Sequence, residues 1–127
     1  MAKVVLDASA IIALLRREKG FEMVAAVADE ANVSAVNLAE VGSFLAKIGH
    51  SLAEMRATLD SLRLKVVDFD EEQAIEVARL RPITMSIGLS LGDRACLALA
   101  GLLRLPAMTT DRSWATLELD VNIDVVR

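Results

Sequence analysis

Four carboxylates stand where short β-like runs give way to helical stretches. Asp7 directly follows the run KVVL (Lys3–Leu6), and Asp111 directly follows the run Ala107–Thr109. Glu40 lies early in the helical stretch after a second short run, and Asp93 lies early in a long apolar stretch opened by Ser90. Taken singly, each has an ordinary structural explanation. Asp7 and Asp111 suit helix N-caps, and Asn37 to Glu40 and Ser90 to Asp93 both have the spacing of a capping box. Taken together they supply the hard oxygen ligands that Mg²⁺ or Mn²⁺ prefers, with water and phosphate oxygens completing the shell. Such a group without a cation would repel itself and raise at least one pKa. One or two divalent ions would relieve the repulsion, orient a water and acidify it, and stabilise charge on a phosphodiester under in-line attack. No histidine or lysine adjoins these acids in sequence, so metal activation of water is the economical chemistry.

For the four to meet, the elements around them must share one edge, and the hydrophobic pattern provides it. Strands are expected at Lys3–Leu6, Val33–Ala35, Lys65–Val67, Ala107–Thr109 and Val121–Val126. Between them lie helical stretches from Ala10 to Arg17, Phe21 to Ala31 and Leu38 to Ile48, the last stopped by Gly49. Ser51 and Glu54 open another helix with Leu52, Met55, Leu59 and Leu62 on one face. A helix from about Asp70 is expected to end at Pro82, with a loop over Ile83–Leu89. The helix capped by Ser90 is apolar nearly all round from Ala95 to Leu103, which places it in the middle of a fold. A short helix is expected over Arg112–Leu119. Strands alternating with helices imply an α/β fold: a three-layer α/β/α sandwich with a mainly parallel central sheet, in a single domain over residues 1–127. Such sheets bind ligands at the carboxyl ends of their strands.

Composition narrows the alternatives. A chain of 127 residues with 54% hydrophobic and 25% charged residues builds one globular core. A single cysteine, Cys96, and a single histidine, His50, exclude an internal disulfide and a zinc cluster. The lone cysteine and the lack of a signal-peptide pattern fit the cytoplasm. The longest strongly apolar stretch, Ala95 to Leu103, falls far short of the ~20 residues a membrane span needs. The net charge of −4 disfavours coating nucleic acid by a general positive field. Setting the four acids aside leaves 14 acidic against 14 basic residues, so the excess negative charge could sit in one place.

VVLDASAIIALL at the N-terminus, SAVNLAEV around Glu40, LSLGDRACLALA around Asp93 and TTDRSW around Asp111 resemble the PIN-domain nucleases. The likeness is nearest to the VapC-type toxins of bacterial toxin–antitoxin pairs and runs in order along essentially the whole chain. It implies a small α/β/α domain that cleaves RNA with Mg²⁺ or Mn²⁺. Asp7, Glu40, Asp93 and Asp111 match the family's acidic quartet, with Asp7 and Asp93 as the most direct metal ligands. Ser9 and Thr110 match small polar positions whose hydroxyls would hold a ligand carboxylate or a bound water. The resemblance also implies an antitoxin whose tail obstructs the cleft, and a homodimer. A mean hydropathy of +0.45 agrees with some apolar surface being shared, for which Phe21–Val27 and Leu52–Leu62 are the candidate stretches.

Other residues carry weaker signals. Arg16, Arg17 and Lys19 could hold RNA phosphates or simply form a solvated helix end. Arg94 and Arg112 adjoin site acids and could contact phosphate or pair with a carboxylate. Trp114 is expected to pack the short helix on the sheet, with base stacking the minor alternative, and Cys96 to fill the core. Two rival enzymes fit poorly. A haloacid-dehalogenase-type phosphatase needs a second aspartate where Ser9 stands, and a receiver domain needs a late lysine where none follows Lys65. A non-catalytic metal-binding or protein-interaction module on the same fold is the remaining alternative.

Overall fold

A computed structural model describes residues 3–127. Its five strands are β1 (Val4–Leu6), β2 (Ala31–Ser34), β3 (Lys65–Val67), β4 (Ala107–Thr109) and β5 (Ile123–Val125). Its six helices are α1 (Ala8–Arg16), α2 (Phe21–Val27), α3 (Ala35–Lys47), α4 (Leu52–Ser61), α5 (Glu71–Thr84) and α6 (Leu91–Leu103). The strands form one sheet in the order β3-β2-β1-β4-β5, and all four pairings are parallel. The sheet is therefore wholly, not just mainly, parallel. Parallel strands must be linked by crossovers, which cover both faces with helices and bury the central strands completely. Val4, Val5 and Leu6 are accordingly all buried.

Side chains alternate across the sheet and build two cores. Val5 and Ala107 pack with the inner faces of α5 and α6 and with Trp114. Val4, Leu6 and Met108 pack on the other side with α1, α2 and α3. As its all-round apolar sequence requires, α6 is buried continuously from Arg94 to Ala100. Cys96 is a buried core residue in it. Among the described residues no helix is long and apolar enough to cross a membrane.

Several boundaries differ from those the sequence suggests, each for a local reason. The strand expected at Val33–Ala35 is Ala31–Ser34, and α3 begins at Ala35 rather than Leu38. Ser34 is the N-cap, its hydroxyl accepting from the Val36 N–H at 3.2 Å, so Asn37 lies inside the first turn and opens no capping box. Likewise α1 starts at Ala8, because Asp7 caps it by accepting from the Ala10 N–H at 2.8 Å. The stretch after Gly20 is helical only to Val27 and tightens into a 3-10 turn over Ala28–Glu30, since Ala31 already belongs to β2.

Pro82 does not end α5, which runs to Thr84. The hydrogen bond that proline forfeits would have gone to the carbonyl of Ala78, an exposed residue where water can replace it. Thr84 donates its hydroxyl to the Leu80 carbonyl at 2.9 Å and steadies the last turn. The expected loop at Ile83–Leu89 contains a 3-10 turn, Met85–Ile87, stopped by Gly88 at φ +65°. The short helix after Asp111 is a 3-10 turn over Arg112–Thr116, and the last strand is three residues long.

Candidate metal centre

The carboxyl ends of β1, β2 and β4 open on one edge of the sheet, and the acids gather there. Asp7 is the first residue past β1 and is only 2% exposed. Its carboxylate accepts from the Ser9 hydroxyl at 2.7 and 2.9 Å, from the Ala10 N–H, and from the Thr109 hydroxyl at 2.5 Å. Burial pushes its carboxyl up to about 6, against the pull of those three hydrogen-bond partners, and the negative charge of Asp93 adds to the rise. Burial and hydrogen bonding thus act against each other on a carboxylate held in position at a cost in solvation.

Glu40 projects from the second turn of α3 towards the first turn of α6. The Asn37 side chain donates from its amide nitrogen to Glu40 Oε1 at 2.8 Å and to the Gly92 carbonyl at 2.9 Å, tying the two helices together beneath the carboxylate. A Cβ on Gly92 would run into that same carboxylate. Gly92 is therefore the space Glu40 occupies, beside Asp93. Asp93 closes a capping box with Ser90, accepting from the Ser90 N–H at 2.9 Å. The N-terminal dipole of α6 thus faces both Asp93 and Glu40. Beneath them Cys96 is buried, and burial first, then the charges of Asp7, Asp93 and Glu40, push its thiol well up. Asp111 lies on the far side of Thr109, capping its 3-10 turn through the Ser113 N–H at 2.9 Å and hydroxyl at 2.8 Å.

Asp7 and Asp111 cap the elements that follow them, and Asp93 completes the capping box of its own helix. Among the described residues no ion pair involves any of the four acids. Among the described residues, Glu40 Oε2, Asp93 Oδ1 and Asp111 Oδ2 accept no hydrogen bond. The donor set, all carboxylate oxygen and uncompensated by any cation, fits a hard divalent ion. No three such side chains are already arranged around a common ion position among the described residues, so ion binding requires carboxylate rotation. Glu40 and Asp111, both exposed, have room for it.

Ser9 is where the sequence put a supporting hydroxyl. The threonine that reaches Asp7 is Thr109, whereas Thr110 offers its backbone N–H to Ser9 Oγ at 3.0 Å. Strand register explains the difference. Val5 pairs with Ala107 and Leu6 with Met108, so the next step sets Thr109 opposite Asp7. Thr109 Oγ1 also accepts from the Asp111 N–H at 3.0 Å and so joins two acids. Thr109→Val keeps the shape but strands buried polar groups, and is expected to cost about 1–3 kcal/mol in urea unfolding. It should also lower cleavage roughly 10–100-fold, as loss of such supporting partners does.

Gly92→Ala gives the opposite combination. Alanine is the better helix former, and the clash falls on the end of a flexible side chain, so the melting temperature should hold or rise. Cleavage should fall at least about tenfold as Glu40 is displaced. Unchanged cleavage would remove Glu40 from the site.

Other expectations fare unevenly. Arg94 is buried and donates to the Val77 carbonyl at 3.0 Å, so it meets neither phosphate nor carboxylate. Trp114 is fully buried in the α5–α6 core and has no face to offer a base. Arg16 sits over the Phe44 ring and pairs with Glu18 at 3.9 Å.

The PIN domain family profile matches residues 4–118. No curated protein sequence matches the chain significantly. Among solved structures, DNA-bound VapBC from Salmonella typhimurium superposes with a TM-score of 0.74 at 23% identity, covering 100% of both chains. VapC20 from Mycobacterium tuberculosis, a sarcin-ricin loop cleaving toxin, gives 0.72 at 17% identity over 94% of this chain and 98% of its own. VapBC-5, of the VapBC toxin–antitoxin family in the same organism, gives 0.66 at 27% identity over 100% of this chain and 99% of that one. The first two likenesses, at such low identity, speak for the fold. The profile match spans nearly all the elements that build this sheet and its acidic edge, and the chain belongs to the PIN domain family.

Proposed function

We propose that residues 1–127 form a single nuclease domain, a metal-dependent endoribonuclease acting as the toxin of a toxin–antitoxin pair in the cytoplasm. The observation that carries this reading is the placement of Asp7 just past β1, Asp93 in the first turn of α6 and Glu40 against Gly92 beside it, with no ion pair to any of the three among the described residues. Membership of the PIN domain family and the likeness to VapBC complexes and to VapC20 support it.

Asp7 and Asp93 would hold Mg²⁺ or Mn²⁺ most directly, with Glu40 and Asp111 completing the set. When bound, the ion supplies positive charge for the phosphodiester in its transition state and acidifies the attacking water. The chain's own residues prepare for this. Ser9, Thr109 and the Ala10 N–H fix the Asp7 carboxylate, Asn37 fixes Glu40, and Ser90 fixes Asp93.

The partners follow from the same reading: an RNA substrate, a cognate antitoxin, and a second copy in a homodimer. An apolar groove of about 400 Å³ between α3 and α4, lined by Leu38, Gly42, Ala46, Met55 and Leu59, suits an antitoxin segment. Leu52, 72% exposed at the start of α4, and Met23, 56% exposed on α2, lie on the two stretches expected to be shared with another chain. The test is cleavage of cellular RNA with and without divalent ion, together with the Asp93→Asn variant.

A further inference from the structure

The acidic edge poses an electrostatic difficulty for a polyanionic substrate, and one small pocket beside it answers the difficulty. The pocket, about 210 Å³, is lined by Ala13, Glu18, Lys19, Thr110 and Arg127. It adjoins the metal centre through a short chain of bonds. The Thr110 N–H donates to Ser9 Oγ at 3.0 Å, and Ser9 donates to the Asp7 carboxylate. Lys19 and Arg127 take part in no ion pair among the described residues, while the acidic side chain in the lining, Glu18, has Arg16 at 3.9 Å.

The two cations are far apart in the sequence, and the fold locks them together. Val126 is buried and donates its N–H to the Thr109 carbonyl at 2.8 Å. Gly20, at φ +96°, lies so close to the Val126 carbonyl that any Cβ there would collide with it. The turn carrying Lys19 and the segment carrying Arg127 therefore meet only because residue 20 has no side chain.

We propose that Lys19, Arg127 and the Thr110 hydroxyl form a subsite for a backbone phosphate of the RNA strand, next to the phosphate being cleaved. The assignment rests on the ribonuclease reading. Contacts of this kind position a strand without reading its sequence, and they offset the repulsion of the four carboxylates on the approaching strand.

The test is binding of a short fluorescein-labelled single-stranded RNA of mixed sequence, followed by anisotropy in EDTA from roughly 50 to 200 mM KCl. Lys19→Ala and Arg127→Ala are compared with Lys65→Ala, which removes the same charge from the opposite edge of the sheet at the start of β3. Loss of one phosphate contact should lower the salt slope by about 0.7 and weaken binding about fivefold near 100 mM. Lys65→Ala should do neither. In Mg²⁺ the first two variants should raise KM and leave kcat near that of the parent, with melting temperatures unchanged.

Variants at 19 and 127 that behave like Lys65→Ala would overturn the subsite while the nuclease stands. A parent that neither binds nor cuts RNA would overturn both readings. Lys19-dependent stabilisation by millimolar inorganic phosphate, with the RNA slope unchanged, would assign the pocket to free phosphate and overturn the strand subsite.

Discussion

Purified protein mixed with a cellular RNA pool in Mg²⁺ or Mn²⁺ should release discrete fragments, and none in EDTA. Asp93→Asn should lower the rate by at least about a hundredfold. Partners that merely orient metal ligands are worth roughly 10–100-fold, so a direct ligand should exceed that range. The substitution is mild for the fold. Asparagine retains the oxygen that accepts from the Ser90 N–H, so the N-terminus of α6 should stay capped. Circular dichroism and melting temperature should therefore match the parent while activity disappears, which separates loss of charge from loss of structure. Cleavage persisting in Asp93→Asn would reveal a contaminant or a different site. No cleavage from folded, antitoxin-free protein under any divalent ion would favour a non-catalytic binding module on the same fold.

The legible part of this architecture is the part set by local chemistry. The β-branched run before Asp7, the apolar surround of α6 and the box formed by Ser51 and Glu54 each leave a pattern in consecutive residues. Alternation of such segments was enough to place the acids on one edge, because parallel strands offer few other arrangements. What escaped depends on contacts between distant segments. Asn37 reads as a helix cap until Ser34 is known to start α3, after which it falls one turn before Glu40 and facing Gly92. Thr109 and Thr110 are adjacent and chemically alike, and only the register of β4 against β1 separates them. Gly92 carries no signal of its own, since its role is the volume it leaves to a side chain 52 positions earlier. Pro82 misled for the opposite reason. A strong local rule gives way when the orphaned carbonyl is exposed and the following turn has its own hydroxyl bond.

Removing the Asp7 charge should stabilise the metal-free protein while disabling it. The folded chain holds this carboxyl at about 6, chiefly by burial, against 3.8 for the ordinary group. A folded state that binds a proton more tightly than the unfolded one is favoured at low pH. The contribution is thus fully present below about pH 4, is lost as pH rises through 6, and leaves a burdened native state at neutrality. A carboxyl moved from 3.8 to about 6 corresponds to roughly 2–3 kcal/mol. Asp7→Asn carries no charge at any pH, keeps an oxygen for the Ala10 N–H and the Ser9 hydroxyl, and turns its amide nitrogen to donate to Thr109 Oγ1, as the protonated carboxyl would. In EDTA its unfolding free energy should exceed the parent's by about 2 kcal/mol at pH 7.5, and the gap should close near pH 4. Added Mg²⁺ should raise the melting temperature of the parent at pH 7.5 and leave the variant nearly unmoved, because the ion takes over the neutralisation that the proton supplies in acid. A variant less stable than the parent across the whole range would mean that the hydrogen bonds from Thr109, Ala10 and Ser9 outweigh the burial cost. Asp7 would then be a structural cap before it is a metal ligand.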